Sequence, residues 1–377
     1  MRIRIPFIAL NAKRRIAVFF GIATGIFTLS ILVMTNTGGL RTSLFLDTKV
    51  HLVAFPHDSQ IVQVSPSNHV EIPIAGRVGL RASRVEISAT SRATQVSREN
   101  EWATLDGAPR LTHYSGRISL SNGWHRIYLR SFGSGGYRLS NDILLGVGEV
   151  FIVAGQSNAA GGDGSLFSAL SGYVKSGQVQ ENGAILWRQA NDPQVRGGGS
   201  VWPLVGDDLA ERLKVPIGFI NVASGGSSIL DWQPGKPAFK QMADALRQTQ
   251  PHFVRAILRH QGETDKNRGM IADEYFTALK RLIQGIREET GFKGPWVVAQ
   301  ASYSDGTVGE GVRRAQAMTW REGLALPGPD TDTLGATFRD ADFRVHFNES
   351  GTREAARLWT DSIMKCLFAP NLPTQRP

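Results

Sequence analysis

Apolar and polar positions change rhythm twice along the chain. From Ile16 to Met34 the run IAVFFGIATGIFTLSILVM carries no charge. It predicts one continuous helix, long enough at 1.5 Å per residue to cross a hydrocarbon core of about 30 Å. From about Leu44 to Gly146 short alternating runs take over: KVHLVAF, QIVQV, VEIPIAG, RVEISAT, RISLS and HRIYLRS, separated by Asp, Asn, Ser, Pro and Gly. Period-two alternation at that spacing predicts a small antiparallel β-sandwich over 44–147. In its last runs, Trp124, Tyr128 and Phe132 read as core anchors rather than as a glycan-stacking face. Beyond Gly148 the apolar runs become continuous: EVFIVAG, IGFINVA, FVRAILRH, PWVVAQASY and LGATF. Helical patterns lie around Leu204 to Leu213, Ala238 to Arg247, Ala272 to Glu289, Gly311 to Glu322 and Gly351 to Phe368. Strands apolar on both faces that alternate with helices predict an α/β domain over 148–370, a doubly wound parallel sheet of five strands. Residues 371–377 are a tail. In such sheets, sites gather at the carboxyl ends of the strands.

Composition narrows the classes. Hydrophobic residues at 41% with a mean hydropathy of −0.16 exclude both a multi-span membrane protein and a disordered chain. A lone cysteine, Cys366, excludes a disulfide framework and any zinc site built on CxxC pairs. The net charge of +9 is misleading, because Arg2, Arg4, Lys13, Arg14 and Arg15 precede the first apolar run with no acidic residue among them. No basic stripe with interleaved aromatics follows, so the chain has no nucleic-acid partner in this reading. Cations before 16–34 and none after it until Arg41 predict a transmembrane signal anchor, with 1–15 cytoplasmic, 35–43 a linker and the bulk extracytoplasmic, at a bacterial periplasm or cell surface. A cleaved signal peptide and secretion are the alternative, opposed by the length of the run and the lack of an A-x-A site in MTNTGGL.

Four motifs follow strand ends. After the first comes Gly155-Gln156-Ser157-Asn158-Ala159-Ala160-Gly161. Small residues around a lone serine let the backbone turn tightly, expose the hydroxyl and aim the serine N–H at a reacting oxygen. Ser157 suits a helix N-cap as well, a place nucleophiles often occupy. Neither GxSxG, a phosphate loop nor an intact GxGxxG is present. The second block, Asn221-Val222-Ala223-Ser224-Gly225-Gly226, either turns the chain or presents a free N–H. In the third, Arg259-His260-Gln261-Gly262-Glu263-Thr264-Asp265, Gln261 is a candidate oxyanion donor and Glu263 an acid, a base or a buried group that positions loops. His260 reads as structural rather than metal-ligating, since no second histidine is near. The fourth, Arg339-Asp340-Ala341-Asp342-Phe343-Arg344-Val345-His346, places a histidine after carboxylates, and the order Ser, Asp, His suits nucleophilic catalysis.

Together these blocks resemble the SGNH hydrolase superfamily, in particular its sialate O-acetylesterase-like branch of carbohydrate acetylesterases. The resemblance covers roughly 149–368 and rests on VGEVFIVAGQSNAAG with RHQGETD. It implies a serine esterase that needs no metal and no cofactor, with Ser157 as nucleophile, His346 as base and an oxyanion hole from the N–H groups of Ser157 and Gly225 or Gly226 plus Gln261. The superfamily's Asp-x-x-His spacing would put the acid at Phe343, so Asp342 is the expected acid, with Asp340 and Glu263 as contenders. Asn158 and Trp232 are expected to bind substrate, while Trp202 and Asp231 suit sugar contact or packing equally. The expected function is removal of acetyl groups from sialic acid or another acetylated glycan. A glycan O-acetyltransferase with the same triad and an inactive tethered glycan-binding protein are the alternatives.

Overall fold

The computed structural model describes residues 15–23, 26–34, 51–54, 57–91, 102–110, 112–133, 136–140, 142–162, 165–195, 197–250, 252–341 and 344–369. The segment before Arg15, the linker 35–43, the tail 371–377 and Asp342 lie outside them.

The first apolar run is not one helix. Arg15–Ala23 (β1) and Ile26–Met34 (β2) pair as antiparallel strands. Among the described residues no helix is long and apolar enough to cross a membrane, so the expected signal anchor and its membrane partner find no support. Uniform hydrophobicity says nothing of period. The run is rich in Ile, Val, Phe and Thr, which favour extended backbone.

A β-rich unit follows. Its strands are β3 (His51–Ala54), β4 (Gln60–Gln63), β5 (His69–Arg77), β6 (Arg84–Ser91), β7 (Ala103–Asp106), β8 (His113–Ser121), β9 (Gly123–Gly133), β10 (Gly136–Leu139) and β11 (Ile143–Gly155). Strands β3, β5 and β8 form one antiparallel sheet, which faces β7, β6, β9, the first half of β11 and β4, with β10 beside β9. Alternation puts Ile72 and Ile74 of β5 against Val85, Ile87, Ile127, Leu129, Leu145 and Val147, and this layer is the core of the sandwich. Trp124 is buried, but Tyr128 and Phe132 have the opposite parity to Ile127 and Leu129 and lie half-buried on the outer face. There Phe132 stacks under the Arg84 guanidinium at 3.8 Å. These two rings are therefore not core anchors.

Strand β11 belongs to both parts. Its first half pairs with β9 and β4, and from Glu149 onward it pairs in parallel with Ile217–Asn221 (β14) and Ala256–His260 (β15). The remaining elements are α1 (Ser157–Ala160), β12 (Val174–Val179), β13 (Ile185–Gln189), α2 (Trp202–Leu213), α3 (Pro237–Gln248), α4 (Glu263–Asn267), α5 (Ala272–Thr290), β16 (Trp296–Gln300), α6 (Glu310–Arg321), β17 (Leu326–Asp330) and α7 (Glu349–Leu367). The sheet order is β13-β12-β14-β11-β15-β16-β17, parallel except for β13. Alternate residues of β11 face opposite layers: Ile152 and Ala154 join α3 and α5, and Phe151 and Val153 join α2 and α7.

The sheet is thus mixed and wider than the five parallel strands expected. LGATF is no strand, since Ala336–Phe338 forms a 3-10 turn. Its place is taken by β17, LPGPD, whose two prolines are tolerated because, among the described residues, it pairs only with β16 at the sheet edge. Toward the other edge, β12 lies between β13 and β14 but is too polar to read as a buried strand.

Candidate active site

Strand β11 ends at Gly155, whose φ of +148° suits glycine, and a Cβ there would stand 1.9 Å from the His260 carbonyl oxygen. The backbone therefore passes against β15 and turns at once into α1. Ser157 opens that helix, 4% exposed. The N-cap residue Gln156 makes no side-chain cap hydrogen bond, and the Ser157 N–H, in the first turn, has no intrahelical acceptor.

The loop before α7 closes on itself. Asp340 N–H donates to the His346 carbonyl at 2.8 Å, Val345 N–H donates to Asp340 Oδ1 at 3.0 Å, and Asp340 Oδ2 stands 3.4 Å from His346 Nδ1. Sequence missed Arg339, whose buried guanidinium holds this loop by donating to the carbonyls of Leu334 at 2.9 Å and of Val345 and Thr331 at 2.8 Å. It also stacks on Phe347 at 4.1 Å. An arginine beside the histidine block was the available signal, but its three acceptors are set by the tertiary structure.

Asn158 joins the serine turn to the histidine loop. Its Nδ2 donates to Glu263 Oε1 at 2.8 Å and to the Val345 carbonyl at 3.1 Å. Gly162 completes the contact: a Cβ there would lie 3.0 Å from His346 Cβ and 3.2 Å from its Cδ2. The structure thus brings Asn158 and Gly162, beside Ser157 in the turn after β11, against Glu263 after β15 and against the loop that carries Asp340 and His346.

Residues 147–365, more than half of the chain, match the family described as carbohydrate esterase, sialic acid-specific acetylesterase. The chain belongs to this family. A probable carbohydrate esterase of Arabidopsis thaliana is 25% identical to it over 193 residues, 45% of this chain and 74% of the relative. A carbohydrate acetylesterase from Xanthomonas citri has the same fold, with a TM-score of 0.55 at 17% identity over 86% of this chain and 77% of that one.

Beneath the serine of this esterase lies a buried polar network. Gln261, 1% exposed, has its Nε2 near Gln156 Oε1 at 3.2 Å, the Ser227 carbonyl at 3.1 Å and Asp265 Oδ2, while its Oε1 accepts from Tyr275 at 2.8 Å and Arg259 at 3.2 Å. Two amide protons already face three acceptors, so none is left for an oxyanion. The expected donor is instead a tie between loops. Gln156, which sequence passed over, accepts from Gln261, Gly262 and Thr264 and fastens the serine turn to the HQGE block.

Glu263 is buried, and burial raises its carboxyl pKa despite the Asn158 hydrogen bond. Its partner makes it a positioning group for Asn158. His260 is also fully buried; desolvation and then the Arg339 charge depress its pKa to about 3, so the ring is neutral. Its Nε2 meets Thr331 Oγ1 at 3.3 Å, a structural place.

Gly225 and Gly226 sit in an exposed turn after β14, and Gly226 has φ +70°. Trp232 of the esterase is not a sugar platform. It is fully buried in the core, its Nε1 donating to Ser227 Oγ at 2.9 Å. Trp202 is also fully buried, donating to the Ala159 carbonyl at 2.7 Å, and Asp231 accepts the Ser228 N–H at 2.8 Å in a capping box. Asn158, with both amide protons engaged, likewise holds loops together rather than reaching out to substrate. Among the described residues no group of three His, Cys, Asp or Glu side chains could hold a metal ion.

Proposed function

We propose that the chain is a serine carbohydrate O-acetylesterase that removes acetyl groups from sugar hydroxyls through an acetyl-enzyme. The observation that carries this reading is the Asp340 carboxylate 3.4 Å from the His346 imidazole, in a loop that Asn158 ties to the Ser157 turn. Ser157 Oγ attacks the acetyl carbonyl while His346 takes its proton, and Asp340 orients the ring and steadies the imidazolium. The N–H groups of Ser157 and of Gly225 or Gly226 receive the oxyanion. His346 then protonates the departing sugar oxygen, and water releases acetate by the same route. In this reading residues 148–370 are the catalytic domain, 44–147 its companion, and O-acetylated sialic acid is one candidate substrate.

The test is acetate release by the full chain from a panel of acetylated glycans that includes O-acetyl sialic acid. Ser157→Ala should abolish release while leaving the melting temperature nearly unchanged. Equal hydrolysis by the variant would remove Ser157 from the mechanism, and binding without release by the unmutated chain would remove the esterase reading.

A further inference from the structure

A cavity of about 290 Å³ opens where the β-rich unit meets the α/β sheet. It lies at the amino ends of the parallel strands. Gln60 to Gln63 of β4 pair with Leu145 to Gly148, and Ser157 follows β11 only after Gly155. Seven extended residues separate these two places, about 20 Å along the strand, so the cavity is distinct from the serine site.

Its floor is apolar, made by Ile61, Ile185 and Trp187, all buried. Its rim is polar, with His57 and Arg247 beside glutamine and threonine side chains. The Arg247 guanidinium is paired with Asp244 at 2.7 Å and with Glu289, so it offers little net charge to an anion. Among the described residues of the rim, three amides keep a hydrogen-bonding atom without a partner. Gln60 spends its Oε1 on the His57 N–H at 2.9 Å and keeps its Nε2, whereas Gln250 spends its Nε2 on the Thr290 carbonyl at 3.3 Å and keeps its Oε1. Gln248 is exposed, with both ends of its amide uncommitted. At the same rim Phe253 holds φ at +56°, a left-handed conformation that costs a bulky side chain free energy.

We infer that this cavity binds a neutral sugar ring. The small exposed parts of an apolar floor suit the C–H groups of a pyranose, and separate amide donors and acceptors suit vicinal hydroxyls. The volume, just under the roughly 300–1,000 Å³ of small-molecule sites, fits one sugar ring. On a polymeric glycan such a site would hold the substrate at a distance from the acetyl group being removed. The inference does not depend on the serine mechanism, because the lining alone argues for it.

The experiment is titration of the full-length Ser157→Ala protein with methyl glucoside, methyl xyloside, cellobiose and glucuronate, read by calorimetry and saturation-transfer NMR. The neutral sugars should bind. Gln60→Ala and Gln248→Ala should each weaken them about tenfold, the effect of losing one or two hydrogen bonds. In the Ser157 background the same two substitutions should leave aryl-acetate hydrolysis unchanged. Absence of neutral-sugar binding, unchanged affinity in both glutamine variants, or tighter binding of glucuronate would overturn the assignment. Loss of aryl-acetate hydrolysis in Ser157→Ala with sugar binding intact would support both readings separately.

Discussion

Asp340 holds one carboxylate oxygen 3.4 Å from His346 Nδ1 and accepts the Val345 N–H with the other at 3.0 Å. The same side chain thus shapes the loop and addresses the imidazole. Asp340→Asn keeps an oxygen for Val345 but removes the charge that steadies an imidazolium. Its kcat should fall by about two to four orders of magnitude, with KM and melting temperature little changed. Asp342→Asn should lose only a few-fold, and steady-state kinetics on an aryl acetate that showed the larger loss at Asp342 would transfer the role there.

Gly162 leaves no room above the imidazole. A methyl group at this position would stand 3.0 Å from His346 Cβ, tighter than ordinary contact, so Gly162→Ala should push the ring aside. A displacement of a few tenths of an ångström should lower kcat about tenfold, because catalytic geometry is steep in distance. Equal kcat with a lowered melting temperature would show that the strain is absorbed elsewhere.

Gln261 gives a contrast. Gln261→Met removes the amide that Asp265, the Ser227 carbonyl and Tyr275 share, leaving buried polar groups unpaired. The expected cost is about 2–4 kcal/mol of stability, seen in denaturant unfolding, with kcat of the folded protein close to native. A kcat loss of about 10²–10³ without destabilisation would restore the oxyanion role.

His260 ties stability to pH. Burial and Arg339 hold its pKa near 3 in the folded chain, below the ordinary value of 6.5, so the unfolded chain takes the proton first as pH falls. Stability is full above about pH 6.5 and lost toward pH 3 by up to about 1.4 kcal/mol per unit. Glu263 works in the opposite sense: its raised pKa makes the folded chain hold its proton, and that contribution fades as pH rises above 4.5. Urea midpoints between about pH 7.5 and 5 should therefore fall less steeply for His260→Gln than for the native chain. Parallel slopes would show that His260 is not the group responsible.

The sequence by itself determined what depends on neighbours along the chain. The helix expected over Ala272 to Glu289 is observed as Ala272–Thr290, because a 3.6-residue apolar period is local. The glycines and small residues around Ser157 made its turn legible. Only the tertiary structure decided the rest. Whether an apolar run becomes one helix or, as with β1 and β2, two paired strands depends on the partner it finds. The prolines of β17 are tolerated because, among the described residues, no strand pairs beyond that edge. Gln261 and Trp232 looked like site residues because their types fit the chemistry. Burial spent the amide on Asp265 and Ser227 and enclosed the indole in the core. Asp340 stands beside His346 because the loop folds back through Arg339 and Val345. Residue type and spacing set which groups are available, and only the folded chain settles which of their hydrogen-bonding positions are already taken.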